Sequence, residues 1–123
     1  MTDEYAAGFF DGEGCVIIRD CKPCLKLMVT IVQKDTRPLE FMQARWGGNL
    51  CHKKDGASVL SLSCRKAAAF LRDVLPFLIV KKEVAQIGIA FQERRGGRGI
   101  PTTPEQKAVD FASRRSISQL NQA

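Results

Sequence analysis

Asp11 and Glu13 stand two residues apart near the start of the chain, set among Gly8, Gly12 and Gly14. Carboxylates hold divalent cations, and Mg²⁺ in particular binds through one or two of them together with phosphate oxygens and water. The rest of the chain is basic. Residues 1–20 carry five acids (Asp3, Glu4, Asp11, Glu13, Asp20) against Arg19, a net of −4. The whole chain carries +6, so the other 103 residues carry +10. A basic body binds polyanions, and a cation on a small acidic cluster can activate water against a phosphate. Together these are the needs of a metal-dependent nuclease. The same charges are also compatible with a solvated helix start and ordinary surface charge.

The other reactive side chains are Cys15, Cys21, Cys24, Cys51, Cys64 and the single histidine, His52. Five cysteines are an odd number, and Met1-Thr2-Asp3-Glu4 lacks the basic-then-apolar layout of a secretion signal, so free thiols in a reducing, intracellular setting are expected. Cys21-Lys22-Pro23-Cys24 is a C-x-x-C, but Cys51-His52 and Cys64 supply no second tight pair for a zinc ribbon. The better reading is a hairpin turn at Lys22-Pro23 flanked by two cysteines. Cys51 and His52 cannot form a nucleophile pair on a strand, where neighbours point to opposite faces.

These residues need elements to position them. Thr2 to Gly12 reads as a helix, with Thr2 as its cap and Asp3 and Glu4 at the positive end of its dipole. Residues 15–20 and 25–33 read as strands; in the second, Leu27, Val29 and Ile31 alternate with Lys26, Met28 and Thr30. Asp35-Thr36-Arg37-Pro38 starts a helix that runs to Trp46 and stops at Gly47-Gly48. Residues 49–54 and 57–64 form a second hairpin with Asp55-Gly56 at its turn. A helix over 65–75 buries Ala67, Phe70, Leu71 and Val74 and ends at Pro76. Another runs from Ile79 to Arg95 with Val80, Val84, Ile87 and Phe91 inward. Residues 96–102 are a basic, glycine-rich linker, and Thr103-Pro104-Glu105-Gln106 is a capping box for a last helix packed on the same domain.

The fold class is therefore α+β: two ββα units after an initial helix, with a four-stranded antiparallel sheet covered by helices on one face. On the open face the alternation places Ile17, Arg19, Lys26, Met28, Thr30, His52, Lys54, Ser61 and Ser63. Such a face can lie in a DNA major groove or be simply solvated. The 45% apolar content supports one core over residues 1–95, and no run approaches the ~20 apolar residues of a membrane span.

Residues 6–14 read Ala6-Ala7-Gly8-Phe9-Phe10-Asp11-Gly12-Glu13-Gly14. This closely resembles the signature of the LAGLIDADG homing endonucleases in its A-G-F-x-D-G-E-G form, with Ala6 in place of the family's leucine. The αββαββα order over about residues 2–95 resembles that family as well. The resemblance implies a site-specific double-strand DNA endonuclease that uses Mg²⁺, with Mn²⁺ as the expected substitute. Glu13 is then the metal ligand in preference to Asp11, which is more often a structural helix-end acceptor, with the Gly14 carbonyl nearby, and Gln33, Arg37 and Lys81 line the cleavage pocket, with Lys34 and Lys82 as neighbours on DNA. Gly8 and Gly12, four apart, share one helix face with Ala7 near it and Asp11 at its end. A second copy can approach there to backbone contact, which brings two Glu13 carboxylates together. Such a pair repels unless cations lie between. One motif per chain thus implies a homodimer and a nearly palindromic site. The expected setting is the cytoplasm of a prokaryote or its phage, or an organelle. The alternative on the same scaffold is a non-catalytic RNA-splicing maturase or DNA-binding protein.

Overall fold

The computed structural model describes residues 2–21, 24–95 and 103–122, so the linker read at 96–102 lies outside the described residues. Helix α1 (Asp3–Glu13) starts at Thr2, whose Oγ1 accepts from the Tyr5 amide at 3.1 Å. It passes directly into β1 (Gly14–Cys21), which pairs with β2 (Cys24–Gln33). After α2 (Arg37–Trp46) come β3 (Asn49–His52) and β4 (Ser58–Ser63), then α3 (Cys64–Val74), a short 3₁₀ turn at Leu75–Phe77, α4 (Lys82–Arg94) and α5 (Pro104–Gln122). The strands form one antiparallel sheet in the order β1-β2-β4-β3. No helix among the described residues is long and apolar enough to cross a membrane.

Strand alternation sets the two faces. Val16 and Ile18 of β1, Leu25, Leu27, Val29 and Ile31 of β2, and Leu60 and Leu62 of β4 are buried under the helices. Phe10, Phe70, Phe91, Leu71 and Met42 fill the core from the helix side. Phe70 anchors it: the rings of Phe10 and Trp46 meet it edge-on at 5.2 and 4.9 Å, a favoured aromatic geometry.

The second hairpin departs from the sequence reading, with consequences for the open face. A two-residue turn at Asp55-Gly56 would pair Lys54 with Ala57 and His52 with Val59. The actual loop closes one residue earlier. The Lys53 amide donates to the Ala57 carbonyl at 2.7 Å, Asp55 Oδ1 accepts from the Ala57 amide, and Gly56 takes a φ of +90°. This is a three-residue loop with a left-handed glycine last. His52 therefore pairs with Ser58 and Cys51 with Val59, and a one-residue shift turns every β3 side chain to the other face.

Two further boundaries differ. Cys64, read as the end of a strand, instead opens α3 with φ +55°. Helix α4 begins at Lys82 and not at Ile79, and Ile79 and Val80 are 85% and 75% exposed. The Asp11 carboxylate takes the Ile79 and Lys81 amides, so these residues are held in an irregular segment.

Helix α5 lies along the outer edge of β1. Arg114 Nε donates to the Ile18 carbonyl at 3.1 Å and Asn121 Nδ2 to that of Val16 at 2.9 Å, while Ile117 is buried. An open strand edge is a template for unwanted pairing, and covering it with a helix removes the hazard. Arg94 at the end of α4 bonds the buried Asp110 and Ser113 of α5.

Candidate nucleic-acid interface and cleavage centre

The Ala6–Gly14 segment occupies the second half of α1 and its junction with β1. Ala6, Ala7 and Phe10 are wholly buried within the chain. This corrects the placement of Ala7 on a face offered to a second copy, since its own core covers it. Gly8 and Gly12 lie on the opposite, exposed side, and a Cβ at either would meet nothing within 4 Å. Tyr5 and Phe9 flank this stripe with their rings nearly parallel. Gly14 is different: a Cβ there would fall 2.0 Å from the Phe10 ring.

The two carboxylates of the segment have separate surroundings. Asp11 faces inward and accepts from the Ile79 amide at 2.8 Å and the Lys81 amide at 3.0 Å. Its own carbonyl, one of those left free at a helix end, accepts from Lys81 Nζ at 2.6 Å. The Lys81 ammonium also lies 6.0 Å from the Phe10 ring centre. Glu13 is exposed and, among the described residues, takes part in no hydrogen bond or ion pair. A free carboxylate and a fixed ammonium thus share the C-terminal end of α1. Gln33 joins them by register. Gly14 pairs with Ile31, and β2 continues two residues further to Gln33, past the end of α1. The Gln33 Oε1 accepts from the Lys34 amide at 2.9 Å.

Arg37 is turned elsewhere. It makes a forked contact with Asp35, which holds that carboxyl down at about 2 and raises the guanidinium. Both residues line a cleft with Thr2, Tyr5, Pro38 and Phe41, beside the opposite end of α1 from Glu13. Lys34 and Lys82 are exposed, just past β2 and at the first residue of α4.

On the open face of the sheet, pairing groups Ile17 with Met28 and Ser63, Thr30 with Ser61, and Arg19 with Lys26. His52 and Lys54 are not among them. His52 shares the helix-side face with Ser58, and its Nδ1 lies 2.8 Å from Ser58 Oγ. Lys54 sits in the turn. Their places are taken by Asn49, opposite Ser61, and Cys51, opposite Val59. Cys15 and Val32 complete the face by alternation. Simple alternation of residues 15 and 17 could have found Cys15; Asn49 and Cys51 needed the loop length of the second hairpin.

Among the described residues no three His, Cys, Asp or Glu side chains converge on a metal site. One chain therefore offers an open carboxylate and no closed cage. That donor set suits Mg²⁺, which retains waters and draws further oxygens from phosphate, and it does not suit a structural zinc.

No family model and no curated protein matches the sequence. Solved structures do. The chain aligns with the homing endonuclease I-CvuI, in complex with I-CreI target in the presence of Mg and with the DNA not cleaved, at TM-score 0.72 and 20% identity, over 96% of this chain and 80% of that one. It aligns with the archaeal intron-encoded homing endonuclease I-Vdi141I complexed with DNA at TM-score 0.76 and 20% identity, over 96% and 82%. The LAGLIDADG meganuclease I-AabMI, bound to uncleaved DNA, gives TM-score 0.80 at 16% identity, over 94% of this chain and 44% of that one.

Proposed function

We propose that this chain, which has the fold of the LAGLIDADG homing endonucleases, is a site-specific DNA endonuclease that acts as a homodimer on a nearly palindromic target. The observation that carries the reading is the end of α1. Glu13 is exposed and uncommitted there, while Asp11 fixes Lys81 beside it. A pure binder has no use for a carboxylate aimed at phosphate. A nuclease needs it, together with a cation-bearing side chain within reach.

Two Glu13 carboxylates, one from each protomer, would hold Mg²⁺ together with phosphate oxygens and water. When bound, the ion lowers the pKa of a water and polarises a phosphate oxygen. Gln33 orients water or phosphate by its amide. Lys81, with two ammonium protons left after bonding the Asp11 carbonyl, stabilises charge on the departing oxygen. Base and backbone contacts come from the open face and from the exposed Lys34 and Lys82.

The test is selection of a target from random DNA followed by cleavage assays in Mg²⁺, in Mn²⁺ and in chelator. Double-strand scission that requires the metal and is abolished in Glu13→Gln is the expected result. Tight, specific binding with no scission in either metal would replace the nuclease with a binding protein on the same scaffold.

A further inference from the structure

The register divides the open face into two chemically distinct zones. Past the Lys53–Ala57 closure of the second hairpin, where Lys53 shares the parity of Cys51 and Asn49 at the Glu13 end, the strand rows are Val32–Val59–Cys51, then Cys15–Thr30–Ser61–Asn49, then Ile17–Met28–Ser63. The side chains of these three rows are aliphatic, thiol, hydroxyl or amide, and none is charged. The next row outward is Arg19–Lys26, beside the Cys21–Cys24 pair at the hairpin tip. Among the described residues neither Arg19 nor Lys26 is drawn into an ion pair. No carboxylate stands anywhere on the described face; Asp20 shares the parity of the buried Val16 and Ile18.

Each side-chain class reads a different base edge in the major groove. Arg and Lys pair with O6 and N7 of guanine, Asn pairs with N6 and N7 of adenine, and apolar groups contact the thymine methyl. From Val32 to Lys26 is six residues of β2. At about 3.3 Å per residue and about 3.4 Å per base pair this spans about six base pairs. Resting on the DNA-recognition reading above, we propose that each protomer reads a half-site in two zones. The inner zone, nearest scission, selects A·T pairs through Val32, Val59, Ile17, Met28 and Asn49. The outer zone, about six base pairs further out, selects guanine through Arg19 and Lys26. With no carboxylate on the face, cytosine N4 has no charged acceptor, so guanine in the outer zone falls on the strand that Arg19 and Lys26 reach.

Two measurements test this independently. In the first, targets are selected from random DNA by the full chain and by the Arg19→Ala/Lys26→Ala variant. The expected result is guanine enrichment in the outer zone that vanishes in the variant while inner A·T enrichment remains. Loss of outer discrimination should be about 5- to 150-fold per good pair. In the second, the unmodified protein binds its selected site with deoxyuridine replacing thymine, which removes only the methyl. Affinity should fall about fourfold per inner methyl and stay unchanged for outer thymines. Outer guanine enrichment that survives in the variant, an inner zone rich in G·C, or no response to deoxyuridine would overturn the two-zone inference and leave DNA recognition standing. A wild-type selection that enriches no sequence would instead overturn the recognition reading itself.

Discussion

Asp11 and Glu13 are chemically alike and two residues apart, yet their surroundings assign them opposite duties. Asp11 serves the fold by gathering two amides of the 79–81 segment. Glu13 has no such work among the described residues. Glu13→Gln should therefore leave melting temperature and DNA affinity near their original values while cleavage falls by about 10³-fold or more, the scale of losing a metal-activated step. Asp11→Asn should lower stability by about 1.5–3 kcal/mol, because bonds to a charged acceptor are lost; denaturant titration reads this. Arg37 gives a third expectation. The folded value of Asp35, about 2, lies below its ordinary 3.8, so the pair is whole at neutral pH and lost only as pH falls through about 2. Asp35 thus stays charged beside Arg37 at neutral pH, and Asp35→Asn removes the contact that holds the guanidinium. DNA affinity should rise and the logarithmic salt dependence steepen by about one, read by titration at several salt concentrations.

At the scale of elements, three glycines of α1 and its exit make contrasting forecasts. A Cβ at Gly14 meets the buried Phe10 ring, so Gly14→Ala should cost about 1–3 kcal/mol as overpacking. Gly8 and Gly12 have room in the single chain. Alanine at Gly8 should stabilise an isolated helix by about 1 kcal/mol but weaken association through that face, which light scattering and thermal melting separate. Most elements were legible because their periodicities are strong: Leu27, Val29 and Ile31 mark β2, and Phe70, Leu71 and Val74 mark α3. What could not be read came from long-range or loop-level contacts. Nothing local says that Asp11 holds residues 79–81 out of α4, whereas Arg37 is taken by a carboxylate only two residues away. The second hairpin carried the right turn residues but not their count, and that single residue moved His52 from the open face to Ser58.

The whole molecule is a basic body of net +6; among the described residues the open sheet face carries no carboxylate, Glu13 at the end of α1 joins no ion pair, and α5 covers the β1 edge. Two such chains on DNA should release many counterions, and affinity should drop steeply with salt. A solution mass of two chains at micromolar concentration without DNA is expected from the Gly8–Gly12 stripe, by light scattering. The tie between Asp11 and the 79–81 segment has one more consequence, which concerns time rather than place. The Ile79 and Lys81 amides sit on an exposed or half-buried segment, where amide protons ordinarily exchange freely with solvent. Their protection depends on a carboxylate sixty-eight and seventy residues away in sequence. They can exchange only when α1 lets go, so their deuterium uptake clocks the opening of the α1 end that carries Glu13, in a chain with no DNA and no metal present.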